Sequence, residues 1–164
     1  MNSAFYIAAT LAIMSTLMVI TRKNVVHALL YLIVSLLSVA VVFFILGAPF
    51  VAALEVIIYA GAIMVLFVFV IMMLNLGPQS THQEGAWLSP GIWVGPTIMT
   101  AILAGELAYV VSLGPVRHAA IGTVTPKQVG IALFGPYVLG VEIASMLLLA
   151  GLVGAYHLGR RDGA

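Results

Sequence analysis

The hydrophobic positions of this chain fall into five long runs, separated by short polar or turn-forming stretches. The runs cover about residues 3–20, 27–47, 51–75, 92–113 and 134–157. Each is near the roughly 20 apolar residues that cross a bilayer core as an α-helix. The runs are continuously apolar and do not alternate, which argues against a membrane β-barrel. The pattern therefore predicts an all-α polytopic membrane protein, with five transmembrane helices in a single transmembrane domain over residues 1–164.

The composition supports lipid as the solvent for most of this surface. Of the 164 residues, 63% are hydrophobic and 7% are charged, and the mean hydropathy is +1.23. A soluble domain cannot hide that much apolar surface inside itself. The polar loop 78–90 carries only His82 and Glu84 as titratable groups, so we interpret it as a connector.

Cysteine and histidine limit the chemistry that the chain can supply alone. It has no cysteine, which excludes disulfides and thiolate-bound metals or clusters made by this chain. The histidines are too scattered for ligand spacing on one helix, so we expect no metal site; they are His27, His82, His118 and His157. A net charge of +1 with no basic run gives no signature of nucleic-acid binding.

The basic residues predict the orientation in the membrane. No Lys or Arg precedes the first run, so we expect a retained span and not a signal peptide. With five spans, the loop after the first run and the C-terminus lie on one side of the membrane, and they carry four basic residues: Arg22, Lys23, Arg160 and Arg161. The loop between the fourth and fifth runs lies on the opposite side and carries two, Arg117 and Lys127. The excess marks the inner side. We expect an outside N-terminus and a cytoplasmic C-terminus in a bacterial plasma membrane, or a matrix-side C-terminus in an organelle.

Three acids lie inside the hydrophobic runs, where an ionisable group is costly and usually faces protein or water: Glu55, Glu106 and Glu142. Glu55 enters about 6 Å down the third span at the α-helical rise. In an α-helix it would share one face with Tyr59, Ala62 and Leu66. Either this stripe belongs to a hydrated proton path, or Glu55 is a structural acid bonded to a neighbouring helix or close to interfacial water.

The other two acids are less informative. Glu142 lies about 12 Å into the fifth span, among small residues that allow close helix packing, and both a proton-path and a packing role are open. Glu106 has no titratable partner nearby in sequence, so a local structural role is favoured. The Ala60-Gly61-Ala62 step in the third span could form a hinge, although close packing is the commoner reason for such residues.

Three stretches give the chain a resemblance to a known family. The third run reads LEVIIYAGAIMVLFVFVIMMLNL over residues 54–76, the second contains NVVHALLYLIVSL at 24–36, and the fifth contains FGPYVLGVEIASMLLL at 134–149. These stretches resemble subunit J of the membrane arm of respiratory complex I. The likeness is most specific in the third run and weakest in the two long loops.

The resemblance implies a non-catalytic subunit of a translocase, the proton-translocating NADH:quinone oxidoreductase of the respiratory chain. Such a subunit carries no cofactor, and NADH, FMN, iron–sulfur clusters and quinone would belong to other subunits. It would lie between the quinone-reducing end and the antiporter-like subunits, with subunits A, H, K and N as expected neighbours. It would act as a coupling element.

In that family the third helix carries a π-bulge near the residues that match 59–65, and its conversion to α-helix opens or closes a water path. Removing one π-bulge residue rotates the downstream helix by roughly 100°, which could gate protons. The resemblance thus assigns a proton path or gate, with no catalytic, cofactor-binding or metal residues. Its members are Glu55, Tyr59, Gly61, Met64, Val65, Phe67 and Glu142.

Two other functions remain open from the sequence. A free-standing small transporter or channel would use the same intramembrane acids in identical copies, but the odd number of spans and the lack of an internal repeat argue against it. A purely structural membrane scaffold would use Glu55 and Glu142 only to bond partner helices.

Overall fold

Five helices in the described part of the chain are long and apolar enough to cross a membrane, which confirms the predicted fold class. The computed structural model describes residues 3–74, 90–112 and 122–159. The five candidate spans are Ser3–Thr21, Val25–Ile45, Pro49–Met73, Gly91–Ser112 and Val138–Gly159. The loop with His82 and Glu84, and the orientation signals Arg117, Arg160 and Arg161, lie outside the described residues.

The helices are labelled in chain order. Helix α1 is Ser3–Thr21 and α2 is Val25–Ile45. The third span consists of α3 (Pro49–Glu55), a π-helical piece called here the π segment (Val56–Ile63), and α4 (Met64–Leu74). Helix α5 is Pro90–Ser112, α6 is Pro126–Leu133 and α7 is Val138–Gly159.

Local sequence explains the ends of α2. The side chain of Asn24 caps its first turn by accepting a hydrogen bond of 3.1 Å from the His27 amide, the usual device for an exposed helical N–H. After α2 the chain turns at Gly47, whose φ of 85° suits glycine because it has no Cβ. Pro49 then starts α3, where a missing N–H costs nothing. The third span therefore follows the second after a tight turn.

Helix α6 was not predicted, because the hydropathy pattern placed its first residues in the stretch 114–130 that separates the fourth and fifth apolar runs. The side chain of Thr125 accepts from the Gln128 amide at 3.3 Å, and the Gln128 side chain accepts from the Thr125 amide at 2.8 Å. This is a capping box with proline at the first helical position. The pattern Thr-Pro-x-Gln was the sequence signal for this helix.

The fifth span begins at Val138 and not at 134, as the hydrophobic run suggested. Residues 134–137 form a turn, because Pro136 has no N–H to donate to a helix. A Cβ on Gly135 would lie 2.7 Å from the Ile131 carbonyl oxygen, so only glycine fits there. A run of apolar residues alone does not reveal this break.

The contacts divide the chain into two compact units, Met1–Thr123 and Val124–Ala164. The first contains α1, α2, the third span and α5. The second contains α6 and α7, which contact each other. A single transmembrane domain over the whole chain stays a prediction.

The core of the first unit lies where α1, α2 and α5 meet. A buried apolar cluster joins them: Ala4, Ala8, Leu11, Val41, Ile45, Leu103 and Val110. Polar contacts also cross the interfaces of α1 with α2 and of α1 with α5. The hydroxyls of Thr16 and Ser35 lie 2.8 Å apart, and Ser15 Oγ donates to the Met99 sulfur at 3.4 Å. Small and hydroxyl-bearing residues let membrane helices approach closely and bond to one another.

Candidate functional site

The π segment interrupts the third span close to the middle of its length. In a π-helix an N–H bonds to the carbonyl five residues back and not four; at its end the Met64 amide donates to the Tyr59 carbonyl. Gly61 lies within this segment, and a Cβ there would meet the Val56 carbonyl oxygen at 3.2 Å. A glycine removes that crowding, so the local sequence suits the wider winding.

The predicted π-bulge in the third helix is confirmed, with different bounds. It was expected near residues 59–65, and the π segment runs over Val56–Ile63. The single α-helical face drawn through Glu55, Tyr59, Ala62 and Leu66 is therefore wrong, because it assumed α spacing across a π-helical stretch. Each inserted residue rotates the downstream part of the helix by about 100°.

Three of the predicted site residues lie at the start of the π segment or within it. Glu55 is the last residue of α3 and is half-buried. Its carboxyl group has no hydrogen bond or ion pair with any residue that the structure describes. Tyr59 is 46% exposed, and Gly61 is half-buried. The acid therefore sits unpaired at the point where the helix changes its winding.

The other three predicted residues of this span lie just after the π segment. Met64 is 2% exposed, in a part of the span that packs against α2. Val65 is 67% exposed and Phe67 is 47% exposed. One buried residue thus anchors the start of α4, while its bulky neighbours face outward from the unit.

An apolar groove of about 410 Å³ lies beside the upstream end of the π segment. It is lined by residues of α2, of the third span and of α5, among them Ala52, Ala53, Val56 and Leu107. Because protein interiors are otherwise close-packed, the groove leaves unfilled space beside this end of the π segment.

Glu142, the remaining predicted residue, lies on α7 in the second unit. Its side chain is exposed, and its backbone carbonyl accepts a hydrogen bond of 2.7 Å from Ser145 Oγ. The other six predicted residues all belong to one continuous span of the first unit.

Glu106 is the acid that sequence reasoning undervalued. Its side chain is 8% exposed, and no other charged residue among those that the structure describes is buried. A signal was present in the register of α5, because Leu103, Glu106 and Val110 follow one another at helical spacing. Two of these are core residues, so the acid between them had to point into the same interface.

The chain matches the family model described as NADH-ubiquinone/plastoquinone oxidoreductase chain 6 over residues 15–158. It is 62% identical to the NADH-quinone oxidoreductase subunit J of Pseudomonas aeruginosa PAO1, covering 99% of this chain and 98% of that protein. It is 59% identical to subunit J of Escherichia coli K12, covering 100% of this chain and 89% of that protein. For subunit J of Buchnera aphidicola subsp. Schizaphis graminum the identity is 50%, over 98% of each chain.

Proposed function

Because the chain belongs to the subunit J family of NADH-quinone oxidoreductase, respiratory complex I, we propose that its third span is the conformational gate that couples quinone reduction to proton translocation. The π segment Val56–Ile63 is the observation that carries this proposal. Membership in a multi-subunit membrane complex also favours a coupling element over a free-standing transporter.

The gate works by a change of winding. When one π turn converts to α, α4 rotates by about 100° relative to α3. Met64 then leaves its buried position, and Val65 and Phe67 exchange neighbours. Bulky apolar side chains that turn into or out of a narrow passage break or complete a water chain without moving any charge.

The polar residues of the gate have separate roles in this proposal. Glu55 and Tyr59, on either side of the first π turn, order or relay protons in the hydrated path. The carboxyl group of Glu55 has no partner among the described residues, which supports this role, since an unpaired intramembrane acid can bond water or a neighbouring subunit. Glu142 contributes a second acid on α7.

The complex supplies everything else. We place the chain in the bacterial inner membrane with its N-terminus outside and its C-terminus in the cytoplasm, next to subunits A, H, K and N. Flavin, iron–sulfur clusters, NADH and quinone bind to other subunits in this proposal, and this chain contributes conformational coupling without redox chemistry of its own.

Cysteine labelling tests the rotation directly. The chain has no native cysteine, so Val65→Cys and Phe67→Cys each introduce a single thiol downstream of the π segment. Ala53→Cys, at an exposed position upstream, is the matched control. Each variant is purified as intact complex I and treated with a small thiol reagent, at rest and during NADH oxidation, and the labelling of this subunit is measured after separation.

Rotation predicts that turnover changes the labelling rates of Val65→Cys and Phe67→Cys while the rate of Ala53→Cys stays constant. Equal rates at rest and during turnover at both downstream positions would contradict the gate. A parallel change at all three positions would indicate movement of the whole subunit and would also contradict it.

Removing the carboxyl group of Glu55 tests the proton path. We expect Glu55→Gln to lower the number of protons translocated per NADH, with electron transfer partly retained, because glutamine keeps the shape but cannot exchange a proton. The measurement is proton uptake into vesicles containing the complex, alongside NADH oxidation. A scaffold role predicts a different outcome, in which the yield of assembled complex falls and the assembled fraction pumps normally.

A further inference from the structure

The carboxyl group of Glu106 is enclosed in the first unit at the interface of α5 with α1 and α2. The side chain is 8% exposed and shares the stripe of Leu103 and Val110, which pack in the apolar cluster with Ala8 and Val41. The first unit itself therefore encloses most of this side chain.

No charged group within the described residues compensates this acid. Both carboxyl oxygens are buried, and neither has a hydrogen-bond partner of good geometry. The backbone N–H of Ala8 approaches the carboxyl group, although it also takes part in the α-helical bonding of α1. Arg22 and Lys23 follow Ala8 by 14 and 15 residues, about 20 Å along a helix. Burying a charge without a partner is costly, so this environment favours the protonated form of the acid.

Few other titratable groups are near. On α1 there is Tyr6, and on α5 there is Tyr109; both are exposed. On α2 there are His27 and Tyr31, at the opposite end from Val41. Their rings are in contact at a tilt of 32°, with centroids 4.9 Å apart. No charged side chain on α1, α2 or α5 therefore competes with Glu106 for its proton.

Buried hydroxyl groups continue from Glu106 along the same interface. Tyr31, Ser35, Ser38 and Val41 are spaced by four, three and three residues on the buried face of α2. Val41 packs in the apolar cluster with Leu103 and Val110, which flank Glu106 on α5, and Ser38 precedes Val41 by about 4.5 Å along the axis of α2. Ser38 Oγ donates to the Val34 carbonyl at 2.8 Å, and Ser35 Oγ contacts Thr16 Oγ1 at 2.8 Å and the Ala12 carbonyl at 3.2 Å. Tyr31 lies one turn before Ser35, and His27 one turn before Tyr31.

We propose that Glu106 is an internal proton-binding site of this subunit, reached from the His27 end of α2 along the hydroxyl groups of Tyr31, Ser35 and Ser38. The step is a reversible proton transfer. The carboxylic O–H bond breaks as the proton passes to a water molecule or hydroxyl group, and it forms again when a proton returns; no electron moves. The inference uses α1, α2 and α5 and does not depend on the gate in the third span.

Infrared difference spectroscopy of intact complex I tests the site. Spectra are recorded on reduction with NADH for the unmodified complex, for Glu106→Gln, for Glu106→Asp and for Ser112→Ala. The last is the control, because its exposed hydroxyl bonds only within α5, to the Tyr109 carbonyl. We expect a C=O band of a protonated carboxylic acid that is lost in Glu106→Gln, shifted in Glu106→Asp and kept in Ser112→Ala. Proton translocation per NADH should fall in Glu106→Gln alone.

A packing role gives a different result. Glutamine reproduces the shape and bonding of a neutral acid, so an assembled Glu106→Gln complex with an unchanged difference spectrum and normal pumping overturns the proposal. Should that variant fail to assemble, Glu106→Asp decides: a shifted acid band supports the site, and an unshifted spectrum overturns it.

The proposed path along the hydroxyl groups of α2 is tested by a separate measurement, the rate of hydrogen exchange at Glu106. In Ser38→Ala we expect the Glu106 band to persist while its shift on transfer to heavy water becomes slower than in Ser112→Ala. Equal exchange rates in the two variants would remove this path from the proposal. The site and the gate are tested separately. If the labelling of Val65→Cys and Phe67→Cys is the same at rest and during turnover, the gate is contradicted; if the acid band is lost in Glu106→Gln in the same series of experiments, the Glu106 site is still supported.

Discussion

Complex I that carries Gly61→Ala is expected to oxidise NADH while translocating fewer protons per electron pair. The physical reason is a contact that exists in the π form. The new Cβ would lie 3.2 Å from the Val56 carbonyl oxygen, because π winding brings the carbonyl five residues back next to Gly61. In an α turn the partner carbonyl belongs to Ile57, and alanine suits an α turn better than glycine does.

The size of the effect follows from helix propensity. Alanine favours α-helix over glycine by about 1 kcal/mol, and about 1 kcal/mol moves a two-state equilibrium about fivefold. The balance between π and α forms should therefore shift toward α by about that factor. A gate held mostly in one form passes protons poorly, although the redox subunits are untouched.

Gly105→Ala is the matched control for this prediction. Gly105 is also a glycine inside a membrane helix, but a Cβ there meets nothing within 4 Å. Both variants are reconstituted in vesicles, and proton uptake is measured against NADH oxidation. An assembled Gly61→Ala complex that pumps as well as Gly105→Ala would refute the winding change as the coupling step.

Gly95→Ala is expected to weaken the packing of α5 on α2 and to reduce the yield of assembled complex. A Cβ on Gly95 would collide with the Tyr31 hydroxyl and lie 3.1 Å from its ring carbon Cζ. Tyr31 is buried and is held by contact with the His27 ring, with the Arg22 guanidinium over its ring. The ring cannot swing away cheaply, so overpacking should cost about 1–3 kcal/mol.

The hydroxyl group can be removed to test this reason. Tyr31→Phe deletes the oxygen that the new Cβ would meet, so the double variant Tyr31→Phe with Gly95→Ala should recover much of the lost stability. Such coupling between two contacting residues is what a double-mutant cycle measures. The readouts are the midpoint of thermal inactivation and the amount of assembled complex.

Gly91→Ala controls for the added methyl group on the same helix, since a Cβ at Gly91 meets nothing within 4 Å. We expect it to leave the yield and the inactivation midpoint unchanged. If Gly95→Ala behaves like Gly91→Ala, or if Tyr31→Phe gives no recovery, the close approach of the two helices is not a stability determinant.

The sequence by itself determined the class of the protein and the number of its spans. Hydropathy is a sum over neighbouring residues, so runs as long as 51–75 specify membrane helices whatever their surroundings. The third run was specific enough to place a π-helical piece in that span. The sequence did not determine the bounds of this piece. Each backbone N–H can bond to the carbonyl four residues back, as in an α-helix, or five residues back, as in a π-helix, and the choice depends on local packing, as at Gly61.

Only the tertiary structure distinguished the acids. Glu55, Glu106 and Glu142 look alike in sequence, each one ionisable residue in an apolar run. Glu106 is enclosed because its face of α5 meets α1 and α2, and Glu55 is half-buried at the start of the π segment. Burial depends on which face of a helix another helix covers, and the close contact of Gly95 with Tyr31 arises the same way. Hydropathy does not contain that information, since two faces of one helix contribute equally to the sum.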